Sequence, residues 1–119
     1  MYGLNKDTDL SFLSEKELHQ VCVGEVQIIL KFDGDIELSL ECTFEHVPKH
    51  GQVFLGDSSK PISSSSLMTL LGSSIKRVDN IGEGGIELFF SNGDKVRIYD
   101  SNNSTESYQI TFPKDMIIV

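Results

Sequence analysis

Cys42, His46 and His50 stand four residues apart in turn, with Cys22 upstream, and thiolate and imidazole are the ligands that zinc favours. The closely spaced cysteine pair of most zinc sites is missing, however. Pro48 also keeps the two histidines off a common helix face. His46 and His50 therefore read as surface histidines beside a loop, and no metal is expected. The same residues could supply a Cys–His nucleophile, which needs an activated thiolate beside the ring. But Cys22 sits between Val21 and Val23, and Cys42 continues an apolar strand face, so both read as reduced, structural thiols. The Ser63–Ser66 run lacks the Gly-x-Ser-x-Gly elbow of a serine hydrolase. Carboxylate pairs (Asp7 with Asp9, Asp33 with Asp35, Glu37 with Glu41) fall on turns and polar strand faces rather than in a pocket that would raise one pKa. Gly82-Glu83-Gly84-Gly85 precedes a strand rather than a helix and lacks a phosphate-loop lysine, so it reads as a hairpin turn. Asn103-Ser104-Thr105 fits a glycosylation acceptor but reads as a polar loop. The expectation is a non-enzyme with no cofactor.

What remains is surface chemistry. Asp33, Asp35, Glu37 and Glu41, with Glu45 beyond, read as an acidic stripe along one hairpin. On a second hairpin the matching face shows Phe89, Arg97 and Tyr99, residue types that concentrate at the centres of protein interfaces. These eight residues are the expected partner-binding positions.

The elements that must carry them follow from the apolar spacing. Val26, Ile28, Leu30 and Phe32, then Ile36, Leu38, Leu40 and Cys42, alternate with mostly polar neighbours, the pattern of half-buried strands. A two-residue Asp33-Gly34 turn would set Leu30 opposite Glu37. A three-residue Asp33-Gly34-Asp35 loop sets Phe32 opposite Ile36 and keeps one face apolar. The second hairpin gives the same parity, with an Asn92-Gly93-Asp94 loop setting Phe90 opposite Val96. Leu10, Leu13, Leu18 and Val21 recur as Leu67, Leu70, Ile75 and Val78 at an offset of 57. Leu30 and Phe32 recur at 58, Gly34 at 59, and Ile36 and Leu38 at 60. This points to an internal repeat, with units near residues 10–47 and 67–112 and a mobile linker, 48–66, in which Val53-Phe54-Leu55 docks on the core. Each unit is expected to open with a short helical segment (Leu10–His19, Leu67–Leu71) followed by strands near Leu18–Val23 and Ile75–Ile81. Tyr108, Ile110 and Phe112 form a last strand, and Met116–Val119 a sheet edge or an interchain contact. The fold class is mainly β (α+β): one domain of duplicated helix–β–β–β units in a curved antiparallel sheet, half-barrel or sandwich.

The chain has 119 residues, 10 basic and 18 acidic, for a net charge of −8. Lys76-Arg77 is the only adjacent basic pair, so neither a nucleic acid nor an anionic membrane surface is an expected partner. Met1–Leu10 carries Lys6, Asp7 and Asp9 where a secretory leader would be apolar, and no run approaches the roughly 20 apolar residues of a membrane span. A cytoplasmic location is expected.

The repeated Leu-x-Phe-x-Gly-x-Ile-x-Leu and Leu-x-Phe-x-x-Gly-x-x-Val-x-Ile patterns, followed by Glu106-Ser107-Tyr108-Gln109-Ile110, resemble those of small bacterial duplicated β-domains. Some domains of this size and acidity look like immunity proteins of polymorphic or contact-dependent toxin systems. The resemblance spans roughly residues 10–112 and implies no catalytic residues. It implies a protein-binding module that neutralises a basic toxin or effector. The alternative is a small-ligand or homo-oligomerisation domain that uses the interface between the repeats.

Overall fold

The computed structural model describes residues 4, 7–102, 106–113 and 115–119, so the Asn103-Ser104-Thr105 motif lies outside the described residues. Alternating apolar residues build ten strands: β1 Leu18–Val23, β2 Ile28–Phe32, β3 Ile36–Leu40, β4 Thr43–Val47, β5 Phe54–Asp57, β6 Ile75–Gly82, β7 Gly85–Phe90, β8 Lys95–Ile98, β9 Tyr108–Phe112 and β10 Asp115–Ile118. They form two five-stranded antiparallel sheets, in the orders β1-β2-β3-β9-β10 and β5-β4-β8-β7-β6. The mainly-β expectation therefore takes the form of a two-sheet sandwich. Leu30, Leu38, Ile110, Leu88, Val96 and Phe44, from both inner faces, are among the buried core residues. No helix among the described residues is long and apolar enough to cross a membrane.

Each sheet is built from both halves of the chain. β1-β2-β3 and β6-β7-β8 are meanders, but the strand that follows each meander leaves it. β4 crosses to pair with β8, and β9 crosses back to pair with β3. β5 and β10 then add to β4 and β9 as the edges. The two meanders carry the same bonds at corresponding positions. Leu18 faces Phe32 and Ile75 faces Phe90, each followed by a bulge. The Glu17 N–H donates to Asp33 Oδ2 at 3.1 Å, and the Ser74 N–H donates to Ser91 Oγ at 3.0 Å. Asp33 and Ser91 return their own N–H groups to the carbonyls of Glu17 and Ser74. Glu17 and Ser74 also form an antiparallel bridge to each other, which ties the two sheets together at this point.

Several local expectations are corrected. The first hairpin has the Asp33-Gly34-Asp35 loop, with Gly34 and Asp35 at positive φ. The second turns on Ser91-Asn92-Gly93, with Leu88 opposite Val96. Asn92 Oδ1 accepts the Asp94 N–H, and the Asp94 carbonyl accepts from Phe90, so Asp94 belongs to the strand side of the turn. The register moves by two residues, which leaves the faces unchanged, and the offset between the hairpins stays at 58 throughout rather than growing to 60.

The Leu10–His19 helix shrinks to a 3₁₀ turn, Ser11–Leu13, because the backbone of residues 15–18 bonds instead to residues 72–75. The second helical segment is a 3₁₀ run over Pro61–Leu70, so it and β5 occupy most of the expected linker. Its serines explain the difference. Ser63, Ser64 and Thr69 donate their hydroxyls to the carbonyls of Lys60, Pro61 and Ser66, side-chain bonds that hold tight turns. Leu55 does not dock on the core; on edge strand β5 it is 73% exposed.

Gly56 on β5 lies against the ring of Phe44, where an added Cβ would come within 2.1 Å of ring carbon. Gly56→Ala should destabilise the fold by about 1–3 kcal/mol through overpacking, read from the midpoint of urea unfolding.

Candidate functional site

The eight expected partner-binding residues divide between the two sheets. Glu45, Phe89, Arg97 and Tyr99 share the outer face of the second sheet. Arg97 Nε donates to Glu87 Oε2 at 2.5 Å, and Arg97 Nη1 lies 3.9 Å from Glu45, which also accepts the Tyr99 hydroxyl. The Glu87 hydrogen bond pushes the Arg97 pKa further up, so the guanidinium stays charged. Burial, then the bond to Glu45, raises the Tyr99 pKa. Phe89 is half-buried rather than exposed, with the Arg77 guanidinium 4.0 Å from its ring centre and the Lys95 ammonium 5.5 Å away. The charges on this face are thus spent largely on one another.

Asp33, Asp35, Glu37 and Glu41 belong to the first sheet, but not as one stripe. Asp33 and Asp35 lie at the hairpin tip and Glu41 beyond the far end of β3, roughly 20 Å away at about 3.3 Å per residue. Asp33 accepts the Glu17 N–H and contacts His19, and that N–H, foremost, lowers its pKa. Glu37 stands opposite Lys31. Glu45 lies on the other sheet because the chain changes sheets between Glu41 and Thr43.

That crossing produces a concave end which sequence reasoning missed. Three adjoining clefts open there. The largest, about 500 Å³, is lined by Val26, Glu41, Asp57, Ser58, Ser59 and Ser101, among others. A second, of about 350 Å³, shares Thr43 and Ser101 and adds Glu83, Tyr99 and Asp100. The third is small and adds Glu106 beside the shared Glu41. Five carboxylates from four chain segments therefore converge, Asp100 and Glu106 both coming from the β8–β9 connection, and no Lys or Arg is among the lining residues. The sequence singled out Glu41, Tyr99 and the glycine turn at residues 82–85 but not their convergence, because most other members of this end lie in turns and connections without periodicity.

The local bonds explain how the cleft holds its shape. Ser101 Oγ accepts both the N–H and the hydroxyl of Thr43 at 3.0 Å. Ser107 donates its hydroxyl to Asp100 at 2.7 Å. Asp57 Oδ1 accepts the N–H and hydroxyl of Ser59, and the N–H bond, foremost, holds the Asp57 carboxyl below the usual carboxylate range. Cys42 lies at the back of the cleft, where burial pushes its thiol up to about 12, so it stays protonated and non-nucleophilic.

His46, expected at the surface, is 1% exposed and points into the sandwich. Its Nε2 lies 2.8 Å from Asp94 Oδ2 and its Nδ1 2.8 Å from Ser66 Oγ. A carboxylate only accepts, so Nε2 donates to it. The order hydroxyl–imidazole–carboxylate is that of a catalytic triad, but none of the three residues lines a cleft, and Phe54 packs over the ring. The arrangement ties β4, the β7–β8 turn and the 3₁₀ run together. Among the described residues, no group of three or more His, Cys, Asp or Glu side chains is placed to hold a metal ion.

Residues 10–119 match the model of a family described as "Family of unknown function (DUF6188)", and the chain belongs to that family. No curated protein and no solved structure matches it.

Two outcomes test this geometry. In the folded protein, a maleimide at neutral pH should modify the half-buried Cys22 much faster than Cys42, as read by peptide mass after quenching. Burial pushes the Asp94 carboxyl up, but the bonds from His46 and the Lys49 N–H outweigh this and leave its pKa lowered. Its stabilisation is therefore complete above the unfolded value of 3.8 and is lost as pH falls through the lowered one. Asp94→Asn should cost about 1–3 kcal/mol at neutral pH and flatten the acid limb of stability, followed by urea unfolding from neutral to strongly acid pH.

Proposed function

We propose that this DUF6188-family chain is a non-catalytic protein-binding module: an acidic immunity or inhibitor protein that neutralises a basic toxin or effector in the bacterial cytoplasm. The observation that carries the reading is the concave end, where Glu41, Asp57, Glu83, Asp100 and Glu106 converge without a lining Lys or Arg. A surface of this kind is complementary to the basic patch by which a nuclease-like toxin holds phosphate. The net charge of −8 adds long-range steering, which speeds encounter at low salt.

The partner surface expected from the sequence is accordingly revised. Glu41 remains in it. Asp33, Asp35 and Glu37 lie outside it, and Glu45, Phe89, Arg97 and Tyr99 form a face whose charges are already matched, with Tyr99 alone reaching the rim of a cleft. A toxin covered in this way is blocked by occupancy, and no bond to it need be made or broken.

The tagged chain, incubated at low salt with lysate of a bacterium carrying the protein, should retain one stoichiometric basic protein. That protein should be released at about 1 M salt, where the screening length falls to about 3 Å. The double variant Glu41→Lys, Glu83→Lys should weaken retention at least about tenfold, equal to about 1.4 kcal/mol. Asp35→Lys at the opposite end should leave it unchanged. Equal retention by the double variant, or capture of nothing but the chain itself, would overturn the reading.

A further inference from the structure

We infer that the largest cleft is an arginine pocket, built to take the guanidinium of a side chain from the basic partner; this rests on the binding-module reading above. Convergent carboxylates alone would not single out a ligand. The second observation is Ser58. It is 4% exposed and lines the cleft, and its hydroxyl has no hydrogen-bond partner among the described residues, although its own N–H is bonded to the Cys42 carbonyl. Among the described residues no fully buried side-chain polar atom lacks a partner, so this hydroxyl is open to solvent on a residue that is otherwise enclosed and lines the cleft. It is available there to a ligand that brings a donor.

The acceptors around Ser58 suit a donor-rich, planar cation. The Glu41 carboxylate makes no hydrogen bond or ion pair among the described residues, although the backbone of Glu41 is held by Ser107 and Asn102. Asp57 Oδ1 is taken by Ser59, and Oδ2 is left over. The cleft thus presents a free carboxylate from just beyond β3, a second carboxylate oxygen from the end of β5 and the Ser58 hydroxyl. A guanidinium carries five N–H donors in one plane and can meet acceptors on several sides, whereas an ammonium is a compact, strongly hydrated point charge. Val26, more than half exposed at the rim, offers apolar surface for the aliphatic stem. A volume of about 500 Å³ lies within the usual range of ligand pockets, about 300–1,000 Å³.

The test uses the whole chain and n-butylguanidinium, which carries the arginine head and stem. Amide NMR shifts should saturate and be confined to residues around Val26, Glu41, Ser58, Ser59 and Ser101. n-Butylammonium should bind more weakly. The double variant Glu41→Gln, Asp57→Asn should weaken binding at least about tenfold, and Ser58→Ala several-fold, with dispersed spectra showing that both are folded. Asp35→Asn, at the opposite end of the first hairpin, should bind as the parent does. Shifts that never saturate, or that spread over every exposed carboxylate, would overturn the pocket, as would unchanged affinity in the double variant. A capped Gly-Gly-Arg-Gly-Gly peptide separates the sources. Binding at least as tight as that of n-butylguanidinium supports a protein side chain, and binding of the free cation alone overturns that form of the inference. The two readings also fail separately. If the neutral double variant still captures the basic protein at full strength while Glu41→Lys, Glu83→Lys does not, the arginine pocket falls and the acidic module stands. If n-butylguanidinium binds but no basic protein is ever retained, the module reading falls instead.

Discussion

At Glu41 and Cys42 the chain leaves one sheet for the other, and the peptide groups there must find partners outside either ladder. The Glu41 N–H donates to the Ser107 carbonyl, Asn102 Nδ2 donates to the Glu41 carbonyl, and the Ser58 N–H donates to the Cys42 carbonyl. Buried backbone polar groups are expensive to leave unpaired. The loop carrying Asn102 and Ser107 and the turn after β5 are therefore drawn to the crossing. The clefts are what lies between these segments. The same crossing that closes the sandwich assembles carboxylates from four separate segments at one end.

Much of the sandwich was legible. Alternation in residues 28–42 and 86–98, broken at Ile29 and Phe89, set the faces, and parity together with the Asp33-Gly34-Asp35 turn residues placed the first loop correctly. The second hairpin's register was misplaced by two residues, since parity cannot distinguish registers that differ by an even step. What decided it was Asn92 capping Asp94, a local side-chain bond with no periodic signature. The 3₁₀ run was hidden for a related reason. Four serines in succession suggest a linker by composition, yet each hydroxyl is a short-range acceptor and donor that can hold successive tight turns.

The candidate site was less legible. The acidic stripe assumed that residues 33–45 stay on one strand pair, and nothing in their alternation marks the change of sheet. His46 was misjudged on the same basis: its neighbours Pro48, Lys49 and His50 suggested a loop, while its parity with Phe44 pointed inward. The partners that make it a buried residue, Ser66 and Asp94, are 20 and 48 positions away. Of the expected residues Glu41 reached the largest cleft and Tyr99 the rim of its neighbour, while Asp57, Glu83, Asp100 and Glu106 come from a strand end and connections that only the tertiary fold brings together.

The exchange of strands between the two halves also governs how the molecule comes into being. β3 pairs on one side with β2, its neighbour in the chain, but on the other side with β9, so that Leu40 waits for Tyr108. At about 5–20 residues per second of synthesis, the 72 positions from Leu40 to Phe112 take roughly 4 to 14 seconds to emerge. Throughout that interval the nascent first meander has an open strand edge and an uncovered apolar face. A ribosome-bound chain in this state is an acceptor for any extended segment nearby, its own later strand or a neighbour's. Glu37 and Glu41 put charge along that edge, and charged side chains on an open edge disfavour pairing with another chain.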